Sequence, residues 1–192
     1  MVGDGVNDAL ALNNRGFAYR VKGDIAKAAA DYEAAIKLDP KQAVAYFNRG
    51  NAYYEQRDFD RALGDLDQAV KLNPNYALAL YNRGLALREK GDIDRSIADF
   101  SRVVQLEPKN APAFNNLGLA YRSKGDVDRA LASFDLAVKA DQTLALGYNN
   151  RGAMLALKGD YDRALPDLDQ ALKLDANDAR AWQNRGFVWR AK

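Results

Sequence analysis

Large apolar residues recur along this chain four positions before and three positions after a glycine, and the whole arrangement returns every 34 residues. The glycines are Gly16, Gly50, Gly84, Gly118, Gly152 and Gly186. Before them stand Leu12, Tyr46, Leu80, Phe114, Tyr148 and Trp182; after them stand Tyr19, Tyr53, Leu87, Tyr121, Leu155 and Trp189. Offsets of four and three lie on one face of an α-helix, so each unit opens with an amphipathic helix A. A glycine inside a helix costs about 1 kcal/mol relative to alanine. Its return in all six units marks a place where a neighbouring helix comes too close for a side chain.

Seven residues further on, Gly23, Gly91, Gly125 and Gly159 precede an aspartate, in runs such as KGDIDRS and KGDVDRA. Glycine suits the left-handed end of a helix, and Asp24, Asp58, Asp92, Asp126 and Asp160 suit the N-cap of the next. Arg57 holds the glycine's place in the second unit, which predicts a strained or altered turn there. Helix B then buries small residues at Ala28, Ala62, Ser96, Ala130 and Ala164, bulky ones at Tyr32, Leu66, Phe100, Phe134 and Leu168, and Ala35, Ala69, Val103, Ala137 and Ala171 beyond them. Pro40, Pro74 and Pro108 close the first three units, while Gln142 and Ala176 replace proline later and predict longer helix ends. Pro166, some six residues into a helix B, predicts a kink or a shortened start.

Composition narrows the chemistry. The 192 residues are 48% hydrophobic, with 28 lysines and arginines against 26 aspartates and glutamates and no block of one sign. Such a chain folds, and it does not call for nucleic acid or an anionic membrane as partner. Cysteine and histidine are both absent, which removes disulfides, thiolate nucleophiles, imidazole or thiolate metal sites and the commonest general base. No catalytic residue, metal or cofactor is therefore expected, and the chain is read as not an enzyme. With no apolar run of membrane-spanning length and no signal-like start, the expected location is the cytoplasm.

The order bulky, glycine, tyrosine, alanine, aromatic, alanine, proline at a 34-residue spacing resembles the tetratricopeptide repeat family over residues 9–192. The resemblance implies an all-α fold, a right-handed α-solenoid of about eleven antiparallel helices. The repeats are then 9–42, 43–76, 77–110, 111–144 and 145–178, with 179–192 as helix A of a sixth and 1–8 as a flexible arm. MVGDGVNDALAL in that arm resembles the hinge motif of P-type ion pumps through Asp4 and Asp8, but Leu10 replaces the motif's proline and no phosphorylation motif is present. The likeness is read as incidental, with Asp8 as the cap of the first helix.

Two positions depart from the family's pattern. The residue before the core glycine is Arg15, Arg49, Arg83, Arg151 and Arg185, with Leu117 the exception. Sixteen residues later stand Asp31, Asp65, Asp99, Ser133 and Asp167, so the unit lacking arginine also lacks aspartate. An ion pair across the two helices of four hairpins is the expectation.

Two residues before each glycine stands an asparagine: Asn14, Asn48, Asn82, Asn116, Asn150 and Asn184. Asparagine forms helices poorly, and its amide and carbonyl can together hold a peptide backbone without reading the peptide's sequence. In a tetratricopeptide stack the A helices line the concave side, so the resemblance implies a groove with an asparagine ladder for an extended partner peptide. Phe47, Tyr54 and Tyr81 are the expected aromatic anchors, and Arg20, Arg88, Arg122 and Arg190 would favour acidic side chains. The family's clamp for a C-terminal carboxylate is only partly present, since Asn13, Leu78 and Asn82 occupy its cationic positions. The alternative function is a scaffold that self-associates through the uncovered last helix, at Phe187 and Trp189.

Overall fold

The computed structural model describes residues 3–192. The described residues form eleven α-helices and no strand: α1 (Gly3–Val21), α2 (Ile25–Leu38), α3 (Ala43–Glu55), α4 (Phe59–Leu72), α5 (Ala77–Lys90), α6 (Ile93–Leu106), α7 (Ala111–Ser123), α8 (Val127–Ala140), α9 (Ala145–Leu157), α10 (Tyr161–Leu174) and α11 (Ala179–Ala191). Odd-numbered helices are the A helices and even-numbered ones the B helices. The chain divides into two compact units, one ending at Asp99 and one running from Phe100 to Lys192, with the division inside α6.

At Gly16, Gly50, Gly118 and Gly152 the glycine does what its spacing predicts. A methyl group added at Gly118 would stand 2.6 Å from the Phe134 ring, one at Gly16 2.8 Å from Tyr32, and one at Gly152 2.9 Å from Leu168. Helix B therefore rests directly on the backbone of helix A. All fifteen predicted B-helix core positions are fully buried, from Ala28, Tyr32 and Ala35 to Ala164, Leu168 and Ala171. A second A-helix stripe escaped the sequence reading. Ala45, Ala79, Ala113 and Ala181, five before the glycine, are buried, as are Ala52, Ala86, Ala120, Met154 and Val188, two after it. Within each unit these small residues let α3, α5, α9 and α11 settle on the hairpin before them; Ala11 and Ala18, their equivalents in α1, are exposed.

The turns follow their residues. Gly23, Gly91, Gly125 and Gly159 have φ near +80°, and Arg57 adopts the same left-handed conformation at φ 60. The Asp58 amide donates to the Tyr53 carbonyl at 2.9 Å, as Asp24 does to Tyr19, so the arginine strains the turn without altering it. Asp24, Asp58, Asp92, Asp126 and Asp160 all accept an amide of the first turn of the next helix. For Asp58 and Asp126 this backbone bond is the main cause of a carboxyl held below its ordinary range.

Three expectations change. α8 and α10 end at Ala140 and Leu174, in register with the helices that precede proline. An Asx turn makes the stop: Oδ1 of Asp141 and Asp175 accepts the amide two residues on, as Asp39 and Asn73 do beside their prolines. α10 is not shortened by Pro166, because it has the same 14 residues as α4 and α8. Its capped start and fully buried stripe outweigh one missing amide. At the N-terminus α1 already runs from Gly3, so Asp8 is inside the helix and exposed, not its cap. Ala9, fully buried against Ala35 and Ala45, anchors this first stretch. Met1 and Val2 of the expected arm lie outside the described residues.

The arginine–aspartate pairs form in all four hairpins that carry them. Arg15, Arg49, Arg83 and Arg151 each donate Nε and Nη2 to both carboxylate oxygens of Asp31, Asp65, Asp99 and Asp167, at 2.6–2.8 Å. Two of them do more: Nη1 of Arg83 reaches Asp67 and that of Arg151 reaches Asp135, both at 2.8 Å on the preceding B helix. Arg185 meets Asp169 in the same way at 3.3 Å. These bonds to Asp167 and Asp135 raise the Arg151 pKa well above its ordinary value. The fourth repeat replaces the set with Leu117, Ser133 and Ser101, and Ser133 Oγ bonds back to the Arg129 carbonyl at 2.8 Å.

Removing Arg151 alone leaves Asp167, whose side chain is 10% exposed, without its partner. Arg151→Leu should cost about 2–4 kcal/mol in urea unfolding, and the triple change Arg151→Leu, Asp167→Ser, Asp135→Ser should recover most of it. A glycine contrast tests the close approach. Gly118→Ala should destabilise by about 1–3 kcal/mol through overpacking against Phe134. Gly186→Ala, with nothing within 4 Å of the added methyl, should raise the melting temperature through the gain in helix propensity, about 1 kcal/mol or less.

Candidate functional site

The A helices carry every residue singled out for binding, and the 34-residue register puts equivalent positions on equivalent faces. In the first unit these are α1, α3 and α5. Asn48 is 8% exposed and donates its Nδ2 to Asn13 Oδ1 at 2.9 Å, and Asn82 donates to Asn51 Oδ1 at 2.6 Å. Asn14 is exposed. In the second unit, Asn150 donates to Asn115 at 2.8 Å and Asn184 to Asn149 at 2.9 Å, while Asn116 donates to the Pro112 carbonyl of its own helix at 3.0 Å.

The rule behind these bonds is visible in the sequence once the geometry is known. The asparagine two before the glycine donates to the residue three before the glycine of the preceding repeat whenever that residue is also asparagine, as at Asn13, Asn115 and Asn149. Phe47 and Tyr81 hold that place in repeats two and three, so Asn82 turns to Asn51 instead. The amides of Asn48, Asn82, Asn150 and Asn184 are thus engaged between neighbouring A helices. A buried amide that loses its acceptor suffers its full desolvation cost, so these bonds fix the spacing of the A helices.

The expected anchors divide similarly. Phe47 is 9% exposed and packs at 5.0 Å on the Tyr76 ring, inside the core of the first unit. Tyr54 and Tyr81 are half-buried. Tyr54 lies 5.5 Å from the Phe59 ring, and burial first, then the Glu89 charge, pushes its phenol above the ordinary value. Arg20 pairs with Glu55 of the next A helix and sits 5.2 Å from the Phe17 ring. Arg88 lies 3.8 Å from Glu89, which is also 4.0 Å from Arg57. Cationic side chains on this face of the first unit are therefore balanced by glutamates.

The second unit differs. Ala153, Ala156, Leu157, Tyr161, Asn184 and Phe187 enclose an apolar cavity of about 320 Å³. Leu157 is 65% and Phe187 50% exposed. Alanine occupies the place four after the glycine in α9, where Arg122 and Arg190 stand in α7 and α11, both exposed. Sequence reasoning named Asn184 and, for another purpose, Phe187, but not the cavity. The available signal was the arginine-to-alanine change at Ala156. Among the described residues no cluster of carboxylates could hold a metal ion, and no helix is long and apolar enough to cross a membrane.

This architecture is that of helical-hairpin repeat proteins. Tetratricopeptide repeat models match residues 47–111, 81–145 and 145–178, and a TPR repeat model matches 16–57. The chain belongs to the tetratricopeptide repeat family. A comparison with curated proteins gave no match. Among solved structures, MamA is 26% identical, with a TM-score of 0.80 over 86% of this chain and 96% of that one. YrrB, described as a TPR protein with an unusual peptide-binding site, is 23% identical, with a TM-score of 0.80 over 93% and 92%. The first TPR of Spaghetti (RPAP3), bound to the HSP90 peptide SRMEEVD, is 31% identical, with a TM-score of 0.62 over 62% of this chain and 95% of that one.

If the asparagines hold the A helices in register, Asn48→Ala and Asn150→Ala should each lower unfolding free energy by about 1–2 kcal/mol, while Asn14→Ala, exposed in the first helix, should leave it within about 0.5 kcal/mol. Chemical denaturation of the three variants checks this.

Proposed function

We propose that the chain is a protein-interaction module whose A-helix face holds an extended segment of a partner protein. The observation that carries this reading is the mixed character of that face in each unit: in the first, exposed Leu78 shares α5 with Asn82 and Arg88, and in the second, exposed Leu157 and Phe187 stand with Asn184 at a cavity large enough for a side chain. Such a surface offers both burial and orientation, the two things a bound peptide needs. The peptide-bound RPAP3 repeat, which shares the fold at 31% identity, supports it.

The asparagine ladder enters in reduced form. Asn14 is exposed and Asn82 and Asn184 are half-buried, so these can offer a peptide their remaining hydrogen-bonding capacity, while Asn116 is half-buried on the same face of α7. Asn48 and Asn150 contribute by spacing the helices. Tyr54 and Tyr81 keep part of their rings accessible as anchors, whereas Phe47 lies in the core on which Tyr54 packs. At about 0.5–1.5 kcal/mol net per hydrogen bond, offset by ordering of the peptide, micromolar affinity is the expected range.

An immobilised peptide array followed by titration of the best binder tests the reading. Leu78→Ser, Asn116→Ala and Arg122→Ala, all on A helices, should between them include at least one loss of about fivefold or more, while Lys139→Ala on a B helix should change nothing. Equal affinity in all four proteins would reject the A-helix face as the site. Self-association is the second reading, motivated by Trp182 and Trp189 at 50% and 60% exposure; oligomers that grow with concentration and vanish in Trp189→Ser would favour it.

A further inference from the structure

The second unit's A helices differ from the first's in charge as well as in shape. α7, α9 and α11 contain no aspartate or glutamate at all. They carry five arginines. Arg151 is engaged by Asp135 and Asp167, Arg185 by Asp169, and Arg180 by Asp178. Arg122 and Arg190 remain, both exposed, and no carboxylate pairs with either among the described residues. The nearby carboxylates at the starts of α8 and α10, Asp128 and Asp162, are bonded to Lys158 and Lys192.

Arg122 and Arg190 occupy the same register position as Ala156, which lines the cavity between α9 and α11. An apolar cavity is thus flanked on its own face by two cations that the fold leaves unneutralised. In the first unit the equivalent Arg20 and Arg88 are held by Glu55 and Glu89, so this potential is a property of the second unit.

We propose that the A-helix face of residues 111–191 selects a partner segment in which a bulky apolar residue lies between acidic residues. This rests on the peptide-binding reading above and names its ligand class. The apolar side chain enters the cavity against Leu157, Tyr161 and Phe187, and carboxylates on either side meet Arg122 and Arg190. α9 touches both α7 and α11, and packed helices lie about 8–10 Å apart, so the two arginines stand roughly two such steps from each other. At about 3.3–3.6 Å per extended residue, the two acidic positions fall roughly five or six residues apart. The ligand is an internal segment, because side-chain carboxylates and not a chain terminus supply the charge.

Selection from a random peptide library displayed with blocked C-termini tests this, with affinities then read by fluorescence anisotropy on synthetic, C-terminally amidated peptides. Enriched peptides should carry leucine, isoleucine, methionine or phenylalanine between glutamates or aspartates. Arg122→Glu combined with Arg190→Glu should weaken them about tenfold or more at low salt and less at high salt, and Phe187→Ser should weaken them severalfold. All three sites are exposed, so circular dichroism should show an unchanged fold. Enriched peptides that are neutral or basic, or that bind these variants as tightly as the parent, overturn the proposal while keeping a peptide-binding module. A selection that enriches nothing overturns both readings.

Discussion

Everything in this molecule depends on the contact of a ring or a leucine with a bare stretch of helical backbone. Because Gly16, Gly118 and Gly152 lack a side chain, Tyr32, Phe134 and Leu168 rest against them at distances a methyl group would forbid. That contact fixes both the separation and the axial register of helices A and B. The arginine next to the glycine is then aimed at the aspartate sixteen residues later, and both its guanidinium bonds reach the carboxylate. A looser hairpin would leave the same charges solvated and worth little.

Polar residues set the next level of order. Apolar stripes stack one hairpin on another within each unit, but small side chains such as Ala45 and Ala181 tolerate sliding, since one alanine resembles the next. Hydrogen bonds do not. The Asn48–Asn13 and Asn150–Asn115 bonds, and the reach of Arg83 and Arg151 to the preceding B helix, exist at one register only. Burial supplies cohesion and the amides and guanidinium groups supply position.

The fold was almost wholly legible in the sequence, because a 34-residue period repeated six times averages out local ambiguity. The starts of the B helices, the left-handed turns, the B-helix core and the arginine–aspartate pairs were all readable from single residues at fixed offsets. Helix ends were less so: proline suggests the stop signal, whereas the Asp39, Asn73, Asp141 and Asp175 side chains make the stop in repeats with and without it. The start of α1 was missed because two glycines near it suggest a flexible arm, and only the burial of Ala9 shows what holds it. The candidate binding face was the least legible part. An asparagine facing a groove and one facing its neighbour sit at the same helical position, and what separates them is whether the preceding repeat offers Asn13 or Phe47. The cavity beside Phe187 depends on several side chains being small at once, a property no single motif records.

The Asx turn that ends each of these B helices has a consequence for how such a chain can change over generations. Since a hairpin of this kind carries its own start in an aspartate and its own stop in an aspartate or asparagine, it borrows no punctuation from its neighbours. Whole repeats can be duplicated, lost or exchanged by recombination without shifting the phase of the repeats downstream, and proline is dispensable, since Gln142 and Ala176 stand in its place with the helix end unchanged. The gene can be edited in blocks of 34 codons.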